Sequence, residues 1–230
     1  MPKIIAKAAY VFFCLSTIYF NTVDNMEGMT WSKAFVVPTI LLVYLQHSNW
    51  KISFLKAAIF ASCFLGDTYR LISPDNYETG QVLCFLIGYL FLLYYLFPEF
   101  IKKNLQQKQN VFITALTVTC LTSLSYFILN LNFDALETNP YILIFYSLIL
   151  AILICTAILE YNRKPDEVSV NLLMLTMFFV FSDAFYIINK FYLSFSLFNF
   201  IQITTQVFSY YFLLNLFLGH KRLEDSLDNY

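Results

Sequence analysis

Along most of its length the chain alternates long apolar runs with short polar breaks. Eight candidate spans can be drawn: Ile4 to Phe20, Ala34 to Gln46, Ile52 to Ile72, Gly80 to Phe97, Val111 to Leu129, Tyr141 to Leu159, Val168 to Phe191 and Ser196 to Leu218. Runs of roughly 17–25 residues match a hydrocarbon layer about 30 Å thick at a rise of about 1.5 Å per residue, whereas barrel strands would be about half as long. The pattern predicts an all-α, polytopic transmembrane helical bundle of about eight helices, forming one transmembrane domain over residues 1–230. The second run is short and holds Pro38; it extends from Trp31 to Trp50 if Pro38 bends the helix and neighbouring helices satisfy the freed carbonyl.

Composition agrees with the bilayer as solvent: 59% of residues are hydrophobic, 13% are charged, and the mean hydropathy is +0.64. The net charge of −1 argues against a nucleic-acid partner, because no basic cluster could neutralise a run of phosphates. Lys3 and Lys7 before the first apolar run resemble a signal-peptide start, but no small-x-small cleavage pattern follows, so a retained first helix is expected. Cys14, Cys63, Cys84, Cys120 and Cys155 all lie in apolar runs without C-x-x-C spacing and read as small buried hydrophobes. No metal site and no cofactor is indicated, and there is no G-x-S-x-G, H-E-x-x-H or glycine-rich phosphate loop.

With eight spans both termini share one side, and the basic residues sort by side. Lys3, Lys7, Lys51, Lys56, Lys102, Lys103, Lys108, Arg163, Lys164, Lys221 and Arg222 fall on the side of the termini; Lys33, Arg70 and Lys190 fall opposite. Eleven against three is a strong positive-inside bias, so both termini are expected in the cytoplasm, with the plasma (inner) membrane as the expected location. The two halves also suggest a four-plus-four parallel repeat, from G-D in span three and S-D in span seven and from similar aromatic stretches in spans four and eight.

Against this background two acids stand out, Asp67 in span three and Asp183 in span seven. A charged side chain at the centre of a spanning helix costs about 3 kcal/mol even on insertion scales, so two at matching depth suggest a shared polar site. Arg70 and Lys190 follow their acids at spacings that return to the same helix face, and Lys33 begins span two on the same outer side. These three bases could form a cationic rim for an anionic head group above the carboxylates. Tyr69, Tyr186, Asn189, Gln206, Tyr210 and Tyr211 could add hydrogen bonds. The plainer readings are an Asp67–Arg70 ion pair, a snorkelling Lys190, a Lys33 at a helix start, and tyrosines that anchor span ends. His47 and His220 fall on the cytoplasmic side, remote from both acids.

The lysine at the start of span two, F-L-G-D in span three, and F-S-D followed by I-N-K-F in span seven resemble the YhhN family of lysoplasmalogenase-like membrane proteins. That resemblance implies a hydrolase that cleaves the vinyl-ether bond of an ether-linked lysophospholipid, with Asp67 and Asp183 as catalytic groups. One carboxylic acid would protonate the vinyl-ether carbon; one carboxylate would stabilise the oxocarbenium ion and deprotonate the attacking water. Lys33, Arg70, Lys190, Tyr210 and Tyr211 are then the expected substrate-binding residues, and the lipid bilayer and a lysophospholipid-like small molecule the expected partners. Relatives usually show a histidine in span four, where this chain has aromatic and aliphatic residues around Tyr94 and Tyr95, and often a glutamine where it has Leu214. Two other classes fit the same acids: a lipid-binding protein or proton-coupled transporter without catalysis, and a structural protein whose acids pair with Arg70 and Lys190.

Overall fold

The computed structural model describes residues 3–73, 77–102, 115, 119, 140–191 and 193–227. The helices bounded within the described residues are α1 Lys3–Thr22, α2 Met26–His47, α3 Phe54–Ile72, α4 Tyr77–Lys102, α5 Pro140–Arg163, α6 Glu167–Phe191 and α7 Ser196–Leu227. No strand occurs among the described residues. The span expected at Val111 to Leu129 lies almost wholly outside them, and with it the counterpart of the first span that a four-plus-four repeat would need.

α1, α2, α4, α5 and α6 are each long and apolar enough to cross a membrane, which makes this a multi-pass membrane protein by length and composition. α3 and α7 fall below that apolarity, although both were expected to span. The reason is local: they carry much of the polar interior, including Asp67 on α3 and Gln206 and Ser209 on α7, and those side chains are buried. A helix enclosed by its neighbours can carry polar groups that a lipid-facing helix cannot.

Helix ends follow from local chemistry. Asn25 caps α2, its side-chain oxygen accepting from the Gly28 N–H at 2.9 Å, which starts the helix well before the expected Ala34. α1 closes with Asp24 in the left-handed region while the Asn25 N–H reaches the Phe20 carbonyl at 2.9 Å. α2 closes alike, with Asn49 left-handed and the Trp50 N–H on the Leu45 carbonyl at 2.8 Å. Both are Schellman-type ends, made here with Asp and Asn where glycine is commoner. Pro38 is accommodated inside α2, which is continuous through it.

Each described helix packs against the next in chain order, and α7 closes on both α1 and α2. Val36, Ile40, Phe60, Leu153, Leu175 and Phe217 fill the interior, while Phe12, Leu15, Tyr94, Tyr141 and Phe208 point outward. Apolar side chains inside and outside alike are what a lipid solvent permits. α1 is tied to α7 by the Tyr10 hydroxyl, which donates to the Val207 carbonyl at 2.8 Å. α3 and α4 approach closely at glycines: a methyl group placed on Gly66 would lie 2.9 Å from the Phe85 ring, and one on Gly88 would lie 3.3 Å from Ser62 Cβ. This close approach brings α3, and with it Asp67, alongside Tyr89 of α4.

Candidate functional site

Asp67 sits one residue beyond Gly66 on α3, and its side chain is fully enclosed. Three neighbours reach it from two helices. Lys33 Nζ of α2 lies 3.1 Å from Oδ1, Gln206 Nε2 of α7 donates to Oδ1 at 3.0 Å, and the Tyr210 hydroxyl of α7 donates to Oδ2 at 2.6 Å. Lys33 Nζ also donates to Gln206 Oε1 at 2.8 Å, so the amide is fixed in one orientation by a cation on one side and a carboxylate on the other. Gln206 and Tyr210 are spaced i and i+4, which puts both on one face of α7. Because α2 begins at Met26, Lys33 lies about two turns inside the helix. It is buried against Asp67 and is not part of an exposed rim.

Asp183 of α6 has a different environment. The Tyr146 hydroxyl of α5 donates to its Oδ2 at 2.7 Å, and the Tyr146 and Tyr89 oxygens stand 3.2 Å apart. Among the described residues Tyr146 is its hydrogen-bond donor, and no cation pairs with it. Asp183 is half-buried. Tyr89 is held by Phe179 and Tyr146 at ring centroid distances of 5.0 and 5.4 Å, and it stands within electrostatic reach of both Asp183 and Asp67. Tyr210, on Asp67, stands likewise within reach of Tyr89. The two acids thus belong to neighbouring polar clusters whose facing members are phenols.

Lys190 does not pair with Asp183, about two helix turns before it on α6. Its ammonium group meets the Glu78 carboxylate at the start of α4, with the Tyr186 ring 5.8 Å away. The Tyr77 hydroxyl also donates to Glu78, at 3.1 Å. Arg70 lies over the Tyr77 ring, 5.0 Å from its centroid. Arg70 and Lys190 are therefore gathered near Tyr77 and Glu78, apart from Lys33, and in place of the plainer reading, in which the acids pair with Arg70 and Lys190, the structure has Asp67–Lys33 and Lys190–Glu78. Tyr211 is 48% exposed, on a different face of α7 from Tyr210. His47 is at the end of α2, where its Nδ1 lies 2.9 Å from the Val43 carbonyl.

Three site residues escape a reading of the chain. Glu78 looks like a helix-start acid, and Tyr89 and Tyr146 look like two more aromatics among seventeen tyrosines. The available signal was weak: both tyrosines lie well inside apolar runs, where a phenol must find a partner. No group of three or more His, Cys, Asp or Glu side chains arranged to hold a metal occurs among the described residues.

A helical, multi-pass membrane protein with two acids enclosed in a tyrosine-bridged interior is the class that fold and site define. The YhhN family model matches residues 28–216, a stretch containing every polar contact made by Asp67 and Asp183. The chain belongs to the YhhN family. Neither the curated proteins nor the solved structures gave a significant match.

Proposed function

We propose that the protein is a membrane hydrolase of the lysoplasmalogenase type, cleaving the vinyl-ether bond of an ether-linked lysophospholipid by acid–base catalysis on Asp67 and Asp183. The observation that carries this reading is the pair of carboxyl groups in different hydrogen-bond environments within one apolar bundle: Asp67 beside a cation, Asp183 beside phenols. A vinyl ether is hydrolysed through protonation at carbon, which gives an oxocarbenium ion that water captures. A site for this chemistry needs one acid to give the proton and one negative charge to stabilise the cation, and unlike environments let two like residues divide those tasks. Arg70 and Lys190 supply positive charge near the outer ends of α3 and α6, where a lipid phosphate would sit. The same reading gives the chain eight spans, cytoplasmic termini and a plasma-membrane location.

The test is aldehyde release from a lysoplasmalogen by the purified protein. Wild type should release aldehyde, and Asp183→Asn should reduce the rate by about 10²–10⁴-fold, the usual worth of a positioned general acid. Equal rates in the two would remove the aspartate from the reaction.

The presence of two carboxyl groups inside one apolar bundle also favours a second reading, a lipid-binding protein or proton-coupled transporter that uses the same acids as a carrier site. Substrate-dependent proton flux in liposomes, without product, would select it.

A further inference from the structure

The reading above leaves open which acid gives the proton, and the hydrogen bonds distinguish the two. We propose that Asp183 is the proton-donating acid, that Tyr146 is the residue that positions it, and that Asp67 is the carboxylate that stays ionised. This rests on the hydrolase reading for the reaction, though the protonation assignment stands apart from it.

Asp67 accepts two donors on Oδ1 and one on Oδ2, and one of these is an ammonium group. A proton on Asp67 would leave Lys33 as an uncompensated buried cation. Its side chain is also wholly enclosed beside that ammonium group. Asp67 therefore contributes a fixed negative charge, and with it holds Lys33, Gln206 and Tyr210 in place.

Asp183 lacks a cation among the described residues, and an ionised carboxylate in an apolar interior with a single neutral donor is costly. The neutral acid is the form this environment suits. Proton bookkeeping then fixes its orientation. Tyr146 has one hydroxyl proton, and its contact to Asp183 Oδ2, at 2.7 Å, is shorter than its contact to Tyr89, at 3.2 Å. Tyr146 thus makes its closer contact as donor to Asp183, with the Tyr89 oxygen beside it at the longer distance. With Oδ2 occupied as an acceptor, the acid proton resides on Oδ1, whose direction the Tyr89–Tyr146 pair sets.

The Asp183 proton adds to the β-carbon of the vinyl ether, whose double-bond pair forms the new C–H bond, leaving an oxocarbenium ion and the Asp183 carboxylate. Water adds to the cationic carbon and gives one proton back to Asp183, which regenerates the acid and forms a hemiacetal. The remaining hemiacetal hydroxyl proton passes to the glyceryl oxygen as the C–O bond breaks, releasing aldehyde and alcohol. Asp67 keeps its charge throughout.

The experiment is infrared spectroscopy of the full chain in lipid at neutral pH, following the carbonyl stretch of a protonated carboxylic acid. The band should be present in wild type, lost in Asp183→Asn, and moved to higher frequency in Tyr146→Phe, where the carbonyl loses its donor. It should persist in Asp67→Asn; if that variant fails to fold, the charge-neutral double variant Lys33→Met/Asp67→Asn carries the comparison. Loss of the band with Asp67 and its survival without Asp183 would overturn the assignment, as would a wild-type spectrum without it. An unshifted band in Tyr146→Phe would overturn the positioning role. Aldehyde release is a separate arm: a wild type that shows the Asp183 band but releases no aldehyde supports the assignment and overturns the hydrolase reading, while release unchanged in Asp183→Asn overturns the donor role.

Discussion

Lys33 and Asp67 form a buried ion pair, and their mutual dependence is testable without any substrate. Breaking a buried ion pair from one side leaves the other charge uncompensated, at a cost of about 3–5 kcal/mol, whereas removing both charges is often close to neutral. Lys33→Met alone should therefore lower the thermal midpoint in detergent sharply, and Lys33→Met with Asp67→Asn should recover most of the loss. Additive losses in the double variant would mean that the two groups do not act as a pair. Lys56, by contrast, is buried near the rings of Tyr44, Tyr95 and Phe217, at 5.9, 5.5 and 5.7 Å from their centroids. Aromatic faces can stabilise a cation, so buried basic residues in this chain serve two different environments.

At the scale of elements, the α3–α4 contact depends on the absence of side chains. A methyl group on Gly66 would meet the Phe85 ring at 2.9 Å, next to Asp67, so Gly66→Ala should cost about 1–3 kcal/mol of stability by overpacking. Thermal unfolding would measure it, and Gly66→Ala combined with Phe85→Leu should restore part of the loss. The start of α6 offers a pH-dependent test outside the membrane-spanning segments. Asp166 accepts from the Ser169 backbone N–H at 2.9 Å, and Ser169 Oγ accepts from the Asp166 N–H at 3.0 Å, a reciprocal cap. Partial burial raises the Asp166 carboxyl, but the Ser169 N–H and hydroxyl and the nearby Lys164 outweigh it and hold it below the usual carboxylate range. The charged cap therefore contributes stability above the ordinary value of 3.8, and that contribution is lost as pH falls through the lower folded value. Thermal midpoints of wild type and Asp166→Ala should differ near neutral pH, by about 1 kcal/mol for a lost cap, and converge in acid.

For the molecule as a whole, the distribution of basic residues makes orientation the prediction to test. A reporter fused after residue 227 should be active only in the cytoplasm, and a cysteine placed at 75 should react with an impermeant reagent only from outside. The opposite pattern would invert the proposed topology. The helices were legible because apolar length is a strong signal, and the two acids were legible because a carboxylate in such a run is energetically conspicuous. Their partners were legible only in part. Gln206 and Tyr210 stand out as polar groups in an apolar helix, but the choice of Lys33 over Arg70 for Asp67 depends on how α2 and α7 meet α3, and helix periodicity carries no information about which neighbour is across the gap. Tyr89 and Tyr146 were hidden for the opposite reason: tyrosine is so common here that its hydroxyls give no contrast.

The bond from Tyr10 to the Val207 carbonyl has a consequence for how the protein is assembled. α1 lies ahead of the stretch shared with the family, which begins at residue 28, yet it grips α7 at the residue directly after Gln206. The matched stretch is thus braced by a helix that precedes it, and the brace falls one residue from the Asp67 cluster.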